Sequence, residues 1–308
     1  MVNFNSQRDI PNLRGKVILI TGGSSGLGQQ CVKDLAWHKP AEIWLGARNT
    51  SKAQGVAELI QKEVPGARII VLELDLASFA SINDAVTKFR TNAKRLDILM
   101  LNAGIMGSAP ALTKEGYEIH FGTNHMGHAL LTRQLMPILL ESATTPPPNA
   151  VASDVRIVVV TSDLLKHTPS THGLFESAKS PGEGLGAVQR YGQSKLANVL
   201  FARSLAKRYP QLTVAAVHPG ITVTNLGAEM MDSYPLLRLL RPIMPLFFAG
   251  PHTGARNQLW AATSPRVKSG EFYYPIGVAG QGDAKARDDE LAEQLWLWTQ
   301  VELDRNGK

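Results

Sequence analysis

The stretch Lys16-Val17-Ile18-Leu19-Ile20-Thr21-Gly22-Gly23-Ser24-Ser25-Gly26-Leu27-Gly28 decides the fold. Its first half is a short, β-branched apolar run, the pattern of a strand buried on both faces. It passes directly into a turn with glycine at positions 22, 23, 26 and 28, and a helical pattern follows to about Trp37. Strand, glycine turn, helix is the context in which backbone can come close to a pyrophosphate. The start of the helix adds unpaired N–H groups and a favourable dipole. Gly22, Ser24, Ser25, Gly26, Leu27 and Gly28 are therefore candidate phosphate contacts.

Outward from this unit the alternation repeats. Strand patterns fall at 42–47, 68–74, 96–101, 155–161, 213–217 and 271–275, with helical patterns at 51–63, 79–94, 116–140, 191–209, 254–263 and 285–303. Strands alternating with helices predict an α/β chain, a single Rossmann-type doubly wound parallel sheet flanked by helices. Its crossovers are right-handed and its ligand cleft lies at the carboxyl ends of the strands. One domain over 1–308 is expected, with an N-terminal extension at 1–15 and no internal repeat.

Composition narrows the function classes. A chain of 308 residues with 44% hydrophobic content can bury a full core. A single cysteine, Cys31, excludes an intramolecular disulfide framework and suits a reducing compartment. Residues 1–16 are polar, and no apolar run reaches the length of about 18 residues that a spanning helix needs. A cytoplasmic location is expected, with peripheral membrane contact left open. The formal charge of +6 is spread among acids without a dense basic tract, which argues against a nucleic-acid partner.

Two features carry chemistry. Tyr191-Gly192-Gln193-Ser194-Lys195 lies in a helical pattern, so Tyr191 and Lys195 share one face. An ammonium beside a phenol favours phenolate and is expected to lower the tyrosine from its usual value of about 10, making it a usable acid or base. Arg48 follows the second strand, where a fold that prefers NAD places an acid. A guanidinium there matches the 2′-phosphate of NADP(H), the cofactor expected. His125 and His128 have no Cys or acid cluster to complete a ligand set; they read as packing or surface residues, and no metal is expected.

The spacing Thr21-Gly22-x-x-x-Gly26-x-Gly28, the triplet Asn102-Ala103-Gly104, Tyr191-x-x-x-Lys195 and Pro219-Gly220 occur in family order. On these residues the chain resembles the classical short-chain dehydrogenase/reductase family. Its closest branch resembles the retinol-dehydrogenase-like and fungal secondary-metabolite NADPH-dependent reductases. The resemblance implies a hydride transfer between nicotinamide and a hydrophobic carbonyl or alcohol. It makes Tyr191 the proton donor, with Lys195 lowering its pKa and binding the nicotinamide ribose. Ser162 would bond the carbonyl oxygen, and Asn124 would hold a water linking Lys195 to solvent. Asp75 would meet the adenine edge with Leu76 beside it, although read alone Asp75 is equally an N-cap or turn residue. Asn102, Ala103 and Gly104 would stabilise the sheet and line the cleft. Pro219 and Gly220 would pass under the nicotinamide, and Thr222 or Thr224 would bind its amide or pyrophosphate.

The interval from Ser162 to Tyr191 is longer than is usual in the family, as in the retinol-dehydrogenase-like branch. It leaves 164–189 as part of a substrate entrance, with mobility expected at 177–186, which is rich in Gly, Pro and Ser. Residues 226–250 are apolar and broken by Pro235, Pro242 and Pro245. They read as a substrate lid, a membrane-interface helix or a dimer contact, and family position favours the lid. A non-redox enzyme of the same fold (dehydratase, epimerase or cyclase) and an NADP-binding regulatory protein stay open as alternatives. Oligomeric state stays open between monomer and homodimer.

Overall fold

A computed structural model describes residues 2–148, 150–169, 173–220 and 250–306. The strands are β1 (Val17–Thr21), β2 (Glu42–Ala47), β3 (Ile69–Glu73), β4 (Ile98–Leu101), β5 (Arg156–Val160), β6 (Thr213–Val217) and β7 (Phe272–Tyr273). They form one sheet in the order β3-β2-β1-β4-β5-β6-β7, and every pairing is parallel. After β3 the chain crosses back past β1 to lay down β4. The strand order therefore reverses between β1 and β4, which opens a crevice at their carboxyl ends.

Alternation along each strand divides the core in two. Val17 and Leu19, Leu99 and Leu101, Ile157 and Val159 pack on one face with α4 (Phe79–Asn92), α6 (Gly127–Thr144), α8 (Ala187–Arg208) and α10 (Asp289–Asn306). Ile18 and Ile20, Ile98 and Met100, Val158 and Val160 pack on the other with α2 (Gly26–Ala36), α3 (Thr50–Glu63) and α9 (Pro251–Thr263). A sheet covered on both faces explains why its strands read as continuous apolar runs. The N-terminal segment joins this second face: Asn5 caps α1 (Ser6–Asp9), and Phe4, Ile10 and Leu13 are buried there.

Some boundaries differ from expectation. The helix expected at 116–140 starts later, because Gly116 (φ +81°) turns the chain between Thr113 and Tyr117. It begins as α5 (Ile119–Phe121), widens into a π turn at Gly122–Met126 and continues as α6 to Thr144. The Tyr191 helix begins four residues early, at Ala187, so Tyr191 sits in its second turn. The interval before it holds α7 (Leu174–Ser177). This segment is packed rather than loose: Phe175 stacks on Trp298 of α10 at 5.3 Å, and Lys179 pairs with Glu302 at 2.6 Å. The candidate lid at 226–250 lies outside the described residues, apart from Gly250 at the start of α9.

Candidate active site

At the crevice β1 gives way to the glycine turn. Gly22 and Gly26 take positive φ (+70° and +54°), which a side chain resists. Gly28 is required by contact, since a Cβ there would lie 2.3 Å from the Gly22 carbonyl oxygen and 2.6 Å from Asn102 Nδ2. Ser25 stands at the N-cap of α2 without a side-chain cap bond, so the first N–H groups of the helix stay open to an anion. Thr21 Oγ1 accepts the N–H groups of Asn102 and Ala103, both at 2.9 Å. Asn102 Nδ2 donates to the Thr21 carbonyl oxygen at 2.9 Å, and its Oδ1 accepts from Gln258 of α9 at 3.0 Å. The triplet after β4 thus locks the ends of β1 and β4 together.

A cavity of about 790 Å³ runs along this crevice. At one end it is bounded by Arg48, Asn49, Lys52, Asp75 and Leu76. Arg48 is exposed, and among the described residues no carboxylate pairs with it or with Lys52. Asn49 Oδ1 caps α3 by accepting the Lys52 N–H at 2.8 Å. Lys52 went unread in the sequence; the available signal was a cation in the first turn of a helix, where it opposes the dipole. Asp75 also serves as a turn residue, its Oδ1 accepting the Ala77 N–H at 3.0 Å.

The other end is bounded by Ile105, Met106, Ser162, Leu164, Tyr191, Lys195, His218, Pro219, Gly220 and Tyr274. Ser162 stands at the end of β5 and accepts the Leu164 N–H at 3.2 Å. Lys195 Nζ lies 5.5 Å from the centre of the Tyr191 ring and donates to the Val160 carbonyl oxygen at 3.1 Å. Burial lowers the Lys195 ammonium to about 8. The expected lowering of Tyr191 is not what these surroundings produce. Burial pushes its phenol above the usual range, opposed by hydrogen bonding with Ser162. His218, absent from the expected set, is held at about 4 chiefly by burial and is neutral at pH 7.

Asn124 does not line the cavity. It is fully buried in the π turn, its Oδ1 accepting the Ile105 N–H at 2.8 Å. Its Nδ2 donates to the Ile105 carbonyl oxygen at 3.0 Å and to Ser194 Oγ at 2.9 Å. Gly104 admits this packing, since a Cβ there would come within 3.2 Å of Asn124 Oδ1 and 3.4 Å of Lys195 Nζ. His125 and His128 are buried and bonded to Thr299 and to Thr21. Gly22, Ser24, Ser25, Gly26, Leu27, Ala103 and Gly104 share the cavity with both ends; Gly28 and Asn124 act from behind it. Thr222 and Thr224 lie outside the described residues.

The residues present fit an elongated dinucleotide. A glycine turn and an uncapped helix start stand at the middle, two cations at one end, and a tyrosine, serine and lysine at the other.

Comparison with known proteins agrees with this geometry. A family model described as short chain dehydrogenase matches residues 16–234. A short-chain dehydrogenase/reductase of Aspergillus calidoustus, drtF, is 36% identical over 306 residues, covering 96% of this chain and 95% of its own. Retinol dehydrogenase 14 of Homo sapiens is 35% identical over 317 residues, with 94% and 86% covered. A solved structure of an uncharacterized protein from Mycobacterium Paratuberculosis superposes with a TM-score of 0.71 at 27% identity, covering 98% of both chains. The chain belongs to the short-chain dehydrogenase/reductase family. That membership makes it an oxidoreductase of a family that uses nicotinamide cofactors.

Proposed function

We propose that the protein is an NADP(H)-dependent oxidoreductase acting on a hydrophobic carbonyl or alcohol, with Tyr191 as general acid and base. The observation that carries this reading is one cavity joining Arg48 and Lys52, which no carboxylate among the described residues pairs, to Tyr191, Ser162 and Lys195. Bound nicotinamide supplies or accepts the hydride. In reduction, Tyr191 delivers a proton to the oxygen that becomes the alcohol, and a phenol kept protonated by burial is suited to donate. Ser162 places a hydroxyl where negative charge develops on that oxygen. Lys195 puts positive charge 5.5 Å from the centre of the Tyr191 ring, and its ammonium would hold the ribose of the cofactor. Asn124 fixes the loop at Ile105 and the turn of α8 that carries Tyr191.

Ile105, Met106 and Leu164 give the substrate end an apolar wall, which suits a polyketide-type or other lipophilic ketone. Among the described residues no helix is long and apolar enough to cross a membrane. We place the enzyme in the cytoplasm; salt-sensitive flotation with liposomes would move it to a membrane surface.

The test is an initial-rate screen of NADPH and NADH oxidation against quinones, polyketide-type ketones, retinoids and steroids. NADPH should be preferred, and Arg48→Ala should weaken NADP binding by about 1.5–3 kcal/mol, the worth of a charged hydrogen bond, while NAD binding barely moves. Equal losses for both cofactors would remove the assignment of Arg48. Tight NADPH binding with no oxidation across the panel would favour a non-redox enzyme or a regulator.

A further inference from the structure

His128 has no role in the chemistry above, yet both of its ring nitrogens are engaged and it is 1% exposed. Nε2 lies 2.9 Å from Thr21 Oγ1, and Nδ1 lies 2.9 Å from the Asn124 carbonyl oxygen. The proton on this ring can be placed by counting donors and acceptors. Thr21 Oγ1 already accepts two N–H groups, from Asn102 and Ala103, so what it offers His128 is its own hydroxyl proton. The Met100 carbonyl oxygen, 3.5 Å away, is too distant to compete for that proton. Nε2 is therefore the acceptor. The Asn124 carbonyl can only accept, so Nδ1 carries the hydrogen. The opposite tautomer would set a lone pair against the carbonyl and a third donor against the threonine oxygen.

With this proton placed, one chain of hydrogen bonds crosses the site. It runs from the backbone of Asn102 and Ala103 to Thr21 at the glycine turn, on to His128, and then to the carbonyl of Asn124 in the π turn. The Asn124 side chain continues it to Ile105 and to Ser194, whose Oγ donates to the Tyr191 carbonyl oxygen at 2.7 Å. His128 is the link between the part of the site that meets phosphate and the part that holds Asn124 and Tyr191.

We propose that His128, fixed as the neutral Nδ1–H tautomer, is a positioning residue that couples the glycine turn to the Asn124–Tyr191 side of the site. The kinetic consequence rests on the oxidoreductase function proposed above; the tautomer does not.

Two measurements test it. Nitrogen-15 spectra of the histidine-labelled protein, with His128 assigned by difference from His128→Asn, should show Nδ1–H; an Nε2–H or doubly protonated ring would overturn the proposal. The second is NADPH-dependent reduction of phenanthrenequinone by three variants. His128→Phe removes both bonds and should lower kcat roughly tenfold or more, as expected for lost hydrogen bonds, with KM and NADPH affinity within about threefold. His128→Asn places its amide nitrogen where Nδ1 stood and should recover most of the rate. His128→Gln reaches toward Thr21 and should recover less. A His128→Phe enzyme at wild-type kcat, or equal rates for the Asn and Gln variants, would overturn the coupling. Should His128→Phe not fold, the Asn and Gln pair decides. An inactive wild type would count against quinone reduction, leaving the spectrum to decide the tautomer.

Discussion

Arg190 and Lys195 are buried cations on the same helix, each 3% exposed, and they are housed in opposite ways. Arg190 is surrounded by acceptors. Its Nη1 donates to the carbonyl oxygen of Leu185 at 2.6 Å and of Gly182 at 3.3 Å, and its Nη2 to that of Ser108 at 2.6 Å. Its Nε lies 3.2 Å from Glu118 Oε1, close enough for charge attraction without the alignment of a hydrogen bond. Glu118 in turn accepts from the Phe121 N–H at 2.8 Å and pairs with His120 at 2.7 Å. The Lys195 ammonium has a single hydrogen bond among the described residues, to a neutral carbonyl. A buried charge with its partners in place is spent on structure; one left without a counter-charge is strained toward losing its proton and free to meet an incoming group. Tyr191 stands directly after the first and one turn before the second, so the comparison assigns it to one of two roles.

The largest effect should come from Tyr191→Phe. The ring packing stays, including the edge contact with His120 at 6.4 Å, while the hydroxyl is lost. Turnover should fall by about 10²–10⁴, the range for a missing general acid, with NADPH affinity within a few-fold of wild type. Steady-state rates alongside a fluorescence titration of NADPH would show it. Near-normal turnover would place Tyr191 on the structural side with Arg190 and end the mechanism proposed here.

Next in size is Arg190→Met. It strips the counter-charge from Glu118, which is 2% exposed, and leaves the carbonyls of Leu185 and Ser108 short of a donor. Breaking a buried pair in this way costs about 3–5 kcal/mol, read as a lower urea midpoint at unchanged slope. NADPH affinity in the protein that remains folded should hardly change, since Arg190 does not border the cavity. A stability loss below about 1 kcal/mol, the worth of an exposed pair, would dissolve the contrast with Lys195.

What the sequence showed and what it hid divide along this line. Strands covered on both faces leave a local trace, so β1 to β6 and the glycine turn could be read from short windows. Part of the cavity wall was legible too, since Gly22, Ser25, Arg48, Ser162, Tyr191 and Lys195 sit in short recognisable motifs or at strand ends, whereas Lys52 and His218 carried no such signal. Arg190 drew no notice, since its carboxylate lies 72 positions earlier in the chain and nothing nearby announces the pairing. The packing of α7 and Lys179 onto α10 joins segments more than 100 residues apart, and was read as a loose entrance for the same reason. The Tyr191 shift was misjudged because sequence gives the spacing to Lys195 but not the burial that raises the phenol. The π turn at Asn124 was hidden because its residues read equally well as ordinary helix.

The smallest predicted effect separates the two cations by titration. Burial lowers Lys195 from its usual 10.5 to about 8 in the folded protein. Below pH 8 both folded and unfolded chains hold the proton, so the full cost of a buried ammonium is carried there. Between about pH 8 and 10.5 the unfolded chain keeps the proton and the folded one releases it, so the contribution of this residue to stability rises with pH across that window. Lys195→Met removes the charge and should be more stable than wild type at pH 7, by an amount on the order of 3 kcal/mol at most. That advantage should shrink through the window and vanish above it. Arg190→Met should show no such window, because a guanidinium keeps its proton throughout. Urea unfolding of the three proteins from pH 7 to pH 10.5 supplies the curves, and their differences cancel other titrating groups. A Lys195→Met protein no more stable than wild type at pH 7 would mean that the ammonium is compensated after all, and Lys195 would then belong beside Arg190.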